Sequence, residues 1–184
     1  FDDNVKQVSC SYYEKSLNSN FIYISYSSPK STHKTLLFNL EKNEYKIEKK
    51  QIIPSGYNEK NYIVERVYAP SHDNKKIPIT IVRHKKTKLD GRSKVLLYGY
   101  GAYGSSLGNG FSTGKLSLLN RGIIWANAHI RGGKDCGMNW WKEGKMLNKK
   151  NTFKDFISCA KFLIEKKYTG EKKIIAYGGS AGGL

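Results

Sequence analysis

The sequence has little of what small extracellular or membrane-spanning proteins depend on. Its 184 residues include only three cysteines, an odd number without a C-x-x-C pair, so neither a disulfide framework nor a bound metal is expected. No uninterrupted apolar run reaches the roughly 20 residues that a transmembrane helix needs, and no charged-then-apolar leader is seen. These absences favour a soluble, cytoplasmic protein that has no membrane partner.

Acidic residues are also scarce, because 15 Asp and Glu stand against 32 Lys and Arg and leave a formal net charge of +17. Such an excess can indicate nucleic-acid binding, since basic side chains release counterions from phosphates. Only five of the basic residues are arginines, however, and the lysines are spread along the whole chain instead of forming a stripe. We therefore expect a lysine-rich, solvated surface and no nucleic-acid partner.

The first fifty residues contain short β-type runs that are separated by polar, turn-forming stretches. Three strands are predicted, at residues 21–26, 35–40 and 45–48. This is about the content of one β-propeller blade, which has four strands in some 40 to 45 residues and cannot bury both of its faces alone. No second copy of the pattern follows, and we place a domain boundary near residue 53.

Beyond this boundary strands alternate with helices, which predicts an α/β fold with a mostly parallel sheet. Five strands are predicted, at residues 61–69, 77–84, 95–98, 123–126 and 174–177. The clearest helix covers residues 153–167, where apolar side chains recur at helical spacing. Asn151 or Thr152 is expected to cap its start, and Gly170 follows its end.

Residues 99–104 read Gly-Tyr-Gly-Ala-Tyr-Gly and match the G-x-G-x-x-G pattern of dinucleotide-binding proteins. That pattern requires a helix opening within the loop and an acidic residue about 20 positions further on. Here the following residues are loop-like and residues 120–126 contain no carboxylate. The P-loop pattern also fails around Gly114 and Lys115, because Leu116 stands where Ser or Thr is needed. No cofactor is therefore predicted.

Residues 178–182 read Gly-Gly-Ser-Ala-Gly and match the nucleophile elbow of α/β-hydrolases, G-x-S-x-G. The small neighbours are needed because the serine occupies a strained turn between a strand and a helix. In this fold the nucleophile follows the fifth strand and the oxyanion loop follows the third, which is where Ser180 and the 99–104 segment fall. We predict Ser180 as the nucleophile and the backbone N–H of Ala181 as an oxyanion donor.

The other members of a Ser-Asp-His triad follow the serine in this fold. All four histidines, His33, His72, His84 and His129, precede Ser180, so the acid and the base are expected beyond Leu184. His129 follows the fourth strand, but a structural histidine bound to backbone is the favoured interpretation. Asp135 and Asp155 are likewise expected to serve a loop and a helix N-terminus.

These motifs together resemble the prolyl oligopeptidase family of serine peptidases, especially its oligopeptidase B branch. The resemblance covers residues 21–184 and is carried by residues 97–104, 129–133, 151–153 and 178–183. One departure lies at Lys134 and Asp135, where the family usually continues Arg-Gly-Gly with a glycine and a glutamate. The resemblance implies that residues 1–53 are part of the last blade of a β-propeller. It also implies that residues 54–184 are an α/β-hydrolase catalytic domain, truncated at its C-terminus.

The resemblance further implies that Ser180 cleaves short peptides through an acyl-enzyme, after Lys or Arg. Tyr100 corresponds to the tyrosine whose hydroxyl donates to the oxyanion, and Tyr103 to an aromatic residue near the S1 pocket. The acids that select the P1 side chain would also lie beyond Leu184. The chain alone is therefore expected to be inactive and to need a C-terminal piece, which could be separately encoded. The alternative is a non-catalytic remnant or binding module of the same fold.

Overall fold

The computed structural model describes residues 3–12 and 19–184, and the chain forms two compact units. The first unit contains the residues up to Lys60 together with Gly108–Thr113. The second contains Asn61–Leu107 and Gly114–Leu184. The domain boundary near residue 53 stays a prediction, because compactness alone does not define a structural domain.

The first unit is an antiparallel meander of four strands that pair in chain order. They are β1 (Gln7–Tyr12), β2 (Phe21–Ser27), β3 (Lys34–Asn39) and β4 (Glu44–Lys50). Ile24, Tyr26 and Leu36 alternate onto one face and form a small buried cluster. A four-stranded meander is the repeating unit of a β-propeller, so this unit has the architecture of one blade. The three predicted strands are confirmed, and β1 is an additional strand that the sequence did not indicate.

The second unit is built on a mixed sheet of five strands, all of which were predicted from the sequence. They are β5 (Tyr62–Pro70), β6 (Lys76–His84), β7 (Val95–Gly99), β8 (Ile124–Ala128) and β9 (Ile174–Tyr177). Their spatial order is β5-β6-β8-β7-β9, with β6 antiparallel to β5 and β8, and β7 parallel to β8 and β9. The strand that follows β7 in the chain, β8, therefore pairs with one edge of β7, and the next strand, β9, pairs with its other edge. The C-terminal ends of β7 and β9 meet at this switch point, which is where α/β proteins place their sites.

Helices cover the sheet at the two crossovers. They are α1 (Thr113–Asn120), α2 (Met138–Lys142) and α3 (Lys150–Glu165). Single 3-10 turns occur at Glu59–Asn61, Met146–Asn148 and Ser180–Gly183. Within residues 3–12 and 19–184, no helix has the length and apolar content that crossing a membrane requires.

The long helix α3 starts three residues before the predicted position, and the predicted cap is wrong. Asn151 and Thr152 lie in its first turn, and no side chain caps the helix. Instead, the Asn151 amide donates to the carbonyl of Glu143, and the Thr152 hydroxyl lies 2.7 Å from the carbonyl of Arg131. Thr152 therefore ties α3 to the loop after β8, and Asn151 ties it to the C-terminal end of α2.

The core of the second unit lies between the sheet and α3. Isoleucines of β6 and apolar residues of β7 and β8 are fully buried and contact Cys159 and Leu163 of α3. Each such side chain stabilises the folded state by about 1.5–3 kcal/mol relative to exposure to water. This packing makes the sheet a rigid platform for the loops at its C-terminal edge.

Candidate active site

Ser180 lies at the C-terminal end of β9, on a sharp turn that leads into the Ser180–Gly183 3-10 turn. Its φ angle is +52°, in the left-handed region that non-glycine residues rarely adopt. The side chain is exposed, and the turn is closed by a 2.8 Å hydrogen bond from the Gly182 N–H to the Gly179 carbonyl. A strained, exposed serine after a sheet strand is the geometry of a nucleophile elbow.

Two of the glycines around Ser180, Gly178 and Gly182, are required by close backbone packing. A Cβ atom at Gly178 would overlap the carbonyl of Gly182, so the turn folds directly back on itself. A Cβ atom at Gly182 would lie 2.9 Å from the carbonyl oxygen of Gly99 and 3.0 Å from the Cα atom of Tyr100. Both distances are shorter than those that real Cβ atoms tolerate. The elbow after β9 is therefore packed against the end of β7.

Tyr100 follows β7 directly and lies against the elbow. The same Cβ atom at Gly182 would be only 3.1 Å from the Cδ2 atom of the Tyr100 ring. The next residue, Gly101, has a φ angle of +62°, and a side chain there would overlap Thr152. The structure thus brings together Tyr100, Ser180 and Ala181, which the sequence predicted from two glycine clusters nearly eighty residues apart.

Tyr103 lies elsewhere on the same loop, with its side chain 77% exposed. Its φ angle of +54° is unfavourable for an aromatic residue, and it is followed by Gly104 at +64°. Such strain persists only where the surrounding structure imposes it. The loop after β7 therefore presents one tyrosine to the elbow and another to solvent.

A cleft of about 500 Å³ opens between the elbow, the end of β7 and the first turns of α3. Tyr100 and Ala181 line it together with Phe153 and Phe156 of α3. Its volume is within the range of small-molecule and peptide side-chain sites. Among the residues that the structure describes, no histidine, aspartate or glutamate lines this cleft. Its polar groups are thus suited to binding a substrate carbonyl and not to accepting a proton.

His129 is a buried structural residue, as the sequence favoured, although the partners of its ring are side chains and not backbone. Its Nδ1 atom lies 2.7 Å from Asp135 Oδ1 and its Nε2 atom 2.7 Å from Thr80 Oγ1. The ring is 1% exposed, so no substrate can reach it. Asp135 also accepts a hydrogen bond from the backbone N–H of Leu107 and so serves a loop, as predicted.

Asp155 has a different role from the predicted one at a helix N-terminus. It is fully buried and accepts hydrogen bonds from the Arg131 backbone N–H at 3.0 Å, from Nε at 2.8 Å and from an Nη atom at 2.6 Å. Arg131 is 1% exposed and also donates to Asp73 and to the hydroxyl of Ser71. A buried charge of this kind is tolerated because it is paired and hydrogen-bonded on every side. This network fixes the loop after β8 to α3 and to the β5–β6 turn.

Asp73 makes the stability of the fold dependent on pH. Hydrogen bonds from Arg131 hold the pKa of Asp73 at about 2, below its ordinary value of 3.8. A carboxylate with a lowered pKa contributes stability above its unfolded pKa, and this contribution is lost as the pH falls towards 2. We expect Asp73→Asn to reduce the loss of stability between pH 4 and pH 2, as measured by urea unfolding. Asp90→Asn, at an exposed aspartate 3.9 Å from Arg92, is the control and should leave that loss unchanged.

The sheet order is β5-β6-β8-β7-β9, and a serine stands on a left-handed turn after β9. These features define an α/β-hydrolase fold. The four-stranded meander that precedes it in the chain is a piece of a β-propeller. The sequence profile of the prolyl oligopeptidase family matches residues 109–184. The matched part of the chain has the sequence of this family of serine peptidases, and the chain as a whole is similar to its members.

Among curated relatives, the chain is 42% identical over 89% of its length to dipeptidyl aminopeptidase BI of Pseudoxanthomonas mexicana, of which it covers 22%. It is 37% identical over 93% of its length to Protease 2 of Moraxella lacunata, of which it covers 25%. Among solved structures, oligopeptidase B from Trypanosoma brucei with covalently bound antipain matches all of the chain with a TM-score of 0.93 and 34% identity, and 26% of that protein is covered. The chain thus spans about a quarter of the length of these relatives.

Two features of the site were not predicted from the sequence. The first is the Arg131 network, whose acidic partners are 24 and 58 residues away along the chain. The second is Lys149, which lines the cleft and donates to the carbonyl of Gly101 at 2.6 Å. Arg131 stands in the motif at residues 129–133, but nothing in that motif indicates its distant acidic partners. Lys149 has no local pattern that distinguishes it, because lysine is common throughout this sequence.

Proposed function

We propose that this chain supplies the nucleophile and the oxyanion half of a serine peptidase centre. Ser180 Oγ attacks the peptide carbonyl, and the developing oxyanion accepts hydrogen bonds from the Tyr100 hydroxyl and from the Ala181 N–H. A general base takes the hydroxyl proton of Ser180 and passes it to the nitrogen of the leaving amine as the C–N bond breaks. Water then hydrolyses the acyl-enzyme ester, which releases the acid and restores the serine hydroxyl. The observation that carries this proposal is the left-handed Ser180 turn packed directly on Tyr100.

The proton-transfer half is proposed to come from a segment that follows residue 184 in the family's chain order. His129 is buried, and neither His72 nor His84 lines the cleft that Tyr100 and Ala181 share. The triad aspartate and histidine are then supplied either in the same polypeptide or by a separately encoded piece. We refer to this chain together with that segment as the completed enzyme. The chain alone is expected to be nearly inactive, because a nucleophile without its base loses most of the triad's contribution.

The proposed substrates are short peptides, cleaved after Lys or Arg. Similarity to oligopeptidase B supports short peptides as the substrates, and cleavage after Lys or Arg is what the resemblance to that branch of the family implies. Tyr103, exposed at the rim of the loop after β7, is proposed to lie beside the P1 side chain. A cytoplasmic location is proposed as well, which fits the absence of disulfides among the described cysteines, Cys10, Cys136 and Cys159.

Labelling with an organophosphonate tests the proposal, because this reagent phosphonylates only an activated serine. The completed enzyme should incorporate a diphenyl phosphonate with a basic side chain at Ser180 and should hydrolyse Lys or Arg peptides. The chain alone should label far more slowly. A completed enzyme that is folded yet neither labels nor cleaves would favour the non-catalytic remnant.

Replacement of Tyr100 by phenylalanine should lower kcat of the completed enzyme by about 100- to 1000-fold, with KM little changed. The hydroxyl donates mainly to the charged oxygen of the transition state, so its loss affects kcat more than ground-state binding. Steady-state kinetics with a chromogenic arginine peptide measures both constants. Tyr98→Phe is the matched control, because Tyr98 lies in β7 against Trp125 and Tyr177 and does not line the cleft. An unchanged kcat in Tyr100→Phe would remove the tyrosine from the oxyanion site.

A further inference from the structure

Lys149 is unusual among the lysines of this chain because its ammonium group points into the cleft. It is the last residue before α3, and its Nζ atom donates to the carbonyl of Gly101 at 2.6 Å. The Phe153 ring lies 5.8 Å from the same nitrogen. Within the described part of the chain, Lys149 takes part in no salt bridge. A neutral carbonyl is therefore the hydrogen-bond partner of this charge.

This arrangement costs free energy that an exposed lysine would not. Burial lowers the pKa of the Lys149 ammonium, since no carboxylate offsets the loss of water around it. A hydrogen bond from a charged donor is nevertheless stronger than one between neutral groups. The bond from Lys149 to Gly101 can thus fix the position of that carbonyl.

The carbonyl of Gly101 lies in a closely packed part of the loop after β7. Gly101 is enclosed by Thr152, by Ile130 and by the carbonyl of Arg131, and a Cβ atom would collide with all three. On the other side, a Cβ atom at Gly132 would overlap the Gly101 carbonyl itself. Gly101 has a φ angle of +62°. With φ fixed at this value, the direction of its carbonyl depends on its ψ angle. Lys149 binds the carbonyl in this orientation.

Tyr100 is the residue directly before Gly101, and it is the side chain proposed to bind the oxyanion. We propose that Lys149 is a positioning residue for Tyr100: by holding the Gly101 carbonyl, it keeps the loop after β7 in the conformation that aims the tyrosine at the elbow. This inference rests on the proposed function of Ser180 and Tyr100. Lys149 acts through the loop and does not contact the reacting atoms, so its removal should disturb catalysis only as far as Tyr100 is displaced.

The test compares Lys149→Met with Lys150→Met in the completed enzyme. Lys150 is the next residue, is exposed, and begins α3. Lys149→Met should lower the rate at which Ser180 reacts with the phosphonate by about 10- to 100-fold, because an oxyanion donor that is misplaced by about 1 Å loses most of its effect. Lys150→Met should be unchanged, and Lys149→Arg, which retains a charged donor, should recover much of the rate.

A double-mutant cycle separates positioning from a general structural effect. If Lys149 acts through the Tyr100 hydroxyl, Lys149→Met should have little further effect in a Tyr100→Phe background. If the two losses instead multiply, Lys149 acts independently of Tyr100 and the inference is wrong. It is also wrong if Lys149→Met reacts as fast as the wild type.

A measurement on the chain itself keeps this inference separate from the proposed function. With tyrosine rings labelled with carbon-13, the Tyr100 resonance, assigned through Tyr100→Phe, should shift or broaden in Lys149→Met and remain in place in Lys150→Met. An unmoved Tyr100 resonance would overturn the positioning role. If the wild-type completed enzyme never labels, the proposed function fails, while this spectrum still decides whether Lys149 orients Tyr100.

Discussion

Replacement of Ser180 by alanine is expected to lower kcat of the completed enzyme about a million-fold, the loss typical of a triad nucleophile. Without the hydroxyl no acyl-enzyme forms, and the oxyanion donors and substrate binding alone retain only a small residual rate over water. The variant should also fail to label with the phosphonate. Hydrolysis of an arginine peptide, followed with enzyme concentrations high enough to detect the residual rate, gives the magnitude.

The control for this change is Ser117→Ala, at an exposed serine on α1. It should leave kcat and labelling unchanged. Both variants should unfold in urea within about 0.5 kcal/mol of the wild type, as exposed positions generally do. A Ser180→Ala enzyme that retains one per cent of the wild-type kcat would show that another residue is the nucleophile.

The strain at Ser180 gives a second signature of the same role. Glycine adopts a φ angle of +52° without the penalty of about 1–2 kcal/mol that other residues incur. Ser180→Gly should therefore be more stable than Ser180→Ala and yet equally inactive. A stabilising substitution that abolishes activity indicates that the strained conformation is kept for function.

The strands of the second unit, though not their spatial order, could be predicted because each strand has a local signal. Short apolar runs bounded by turn residues mark β7, β8 and β9, and chain order alone then placed Ser180 after the fifth strand. The strand β1 has no such signal: all six of its residues, from Gln7 to Tyr12, are exposed, and it is held by backbone pairing with β2. A strand that buries no side chain leaves no hydrophobic pattern in the sequence.

The candidate site was predictable only where a motif determines the backbone. Gly178 is required by the turn itself and Gly182 by the packing of the turn against Tyr100, so the elbow could be recognised from the sequence. The roles of Thr152 and Asp155 could not, because both were judged by their place at the start of a helix. Their partners belong to the loop after β8, and only the packing of α3 against that loop brings them together.

The buried pair of Asp155 and Arg131 is expected to be the most sensitive point of the fold outside the elbow. Asp155→Ala should lower the free energy of unfolding by about 3 kcal/mol, because it removes the fully buried carboxylate partner of the Arg131 guanidinium. The part-exposed Asp73 and Glu143 are then left to offset its charge. The Arg131 backbone N–H, which donates to Asp155 at 3.0 Å, also loses its acceptor. Urea unfolding at pH 7 measures the change, and Asp90→Ala, at an exposed ion pair, should cost less than about 1 kcal/mol.

A double variant tests whether charge or packing causes this loss. In Arg131→Met with Asp155→Leu, both charges are replaced by apolar side chains, and much of the lost stability should return. If Asp155→Ala costs less than 1 kcal/mol, the network does not hold the loop after β8. If Asp155→Ala costs the expected amount, the pair of Asp155 and Arg131 holds the loop after β8, against which Gly101 packs. The conformation of Tyr100 would then depend on two charged residues. Arg131 holds the loop after β8, against which Gly101 packs, and Lys149 holds the carbonyl of Gly101.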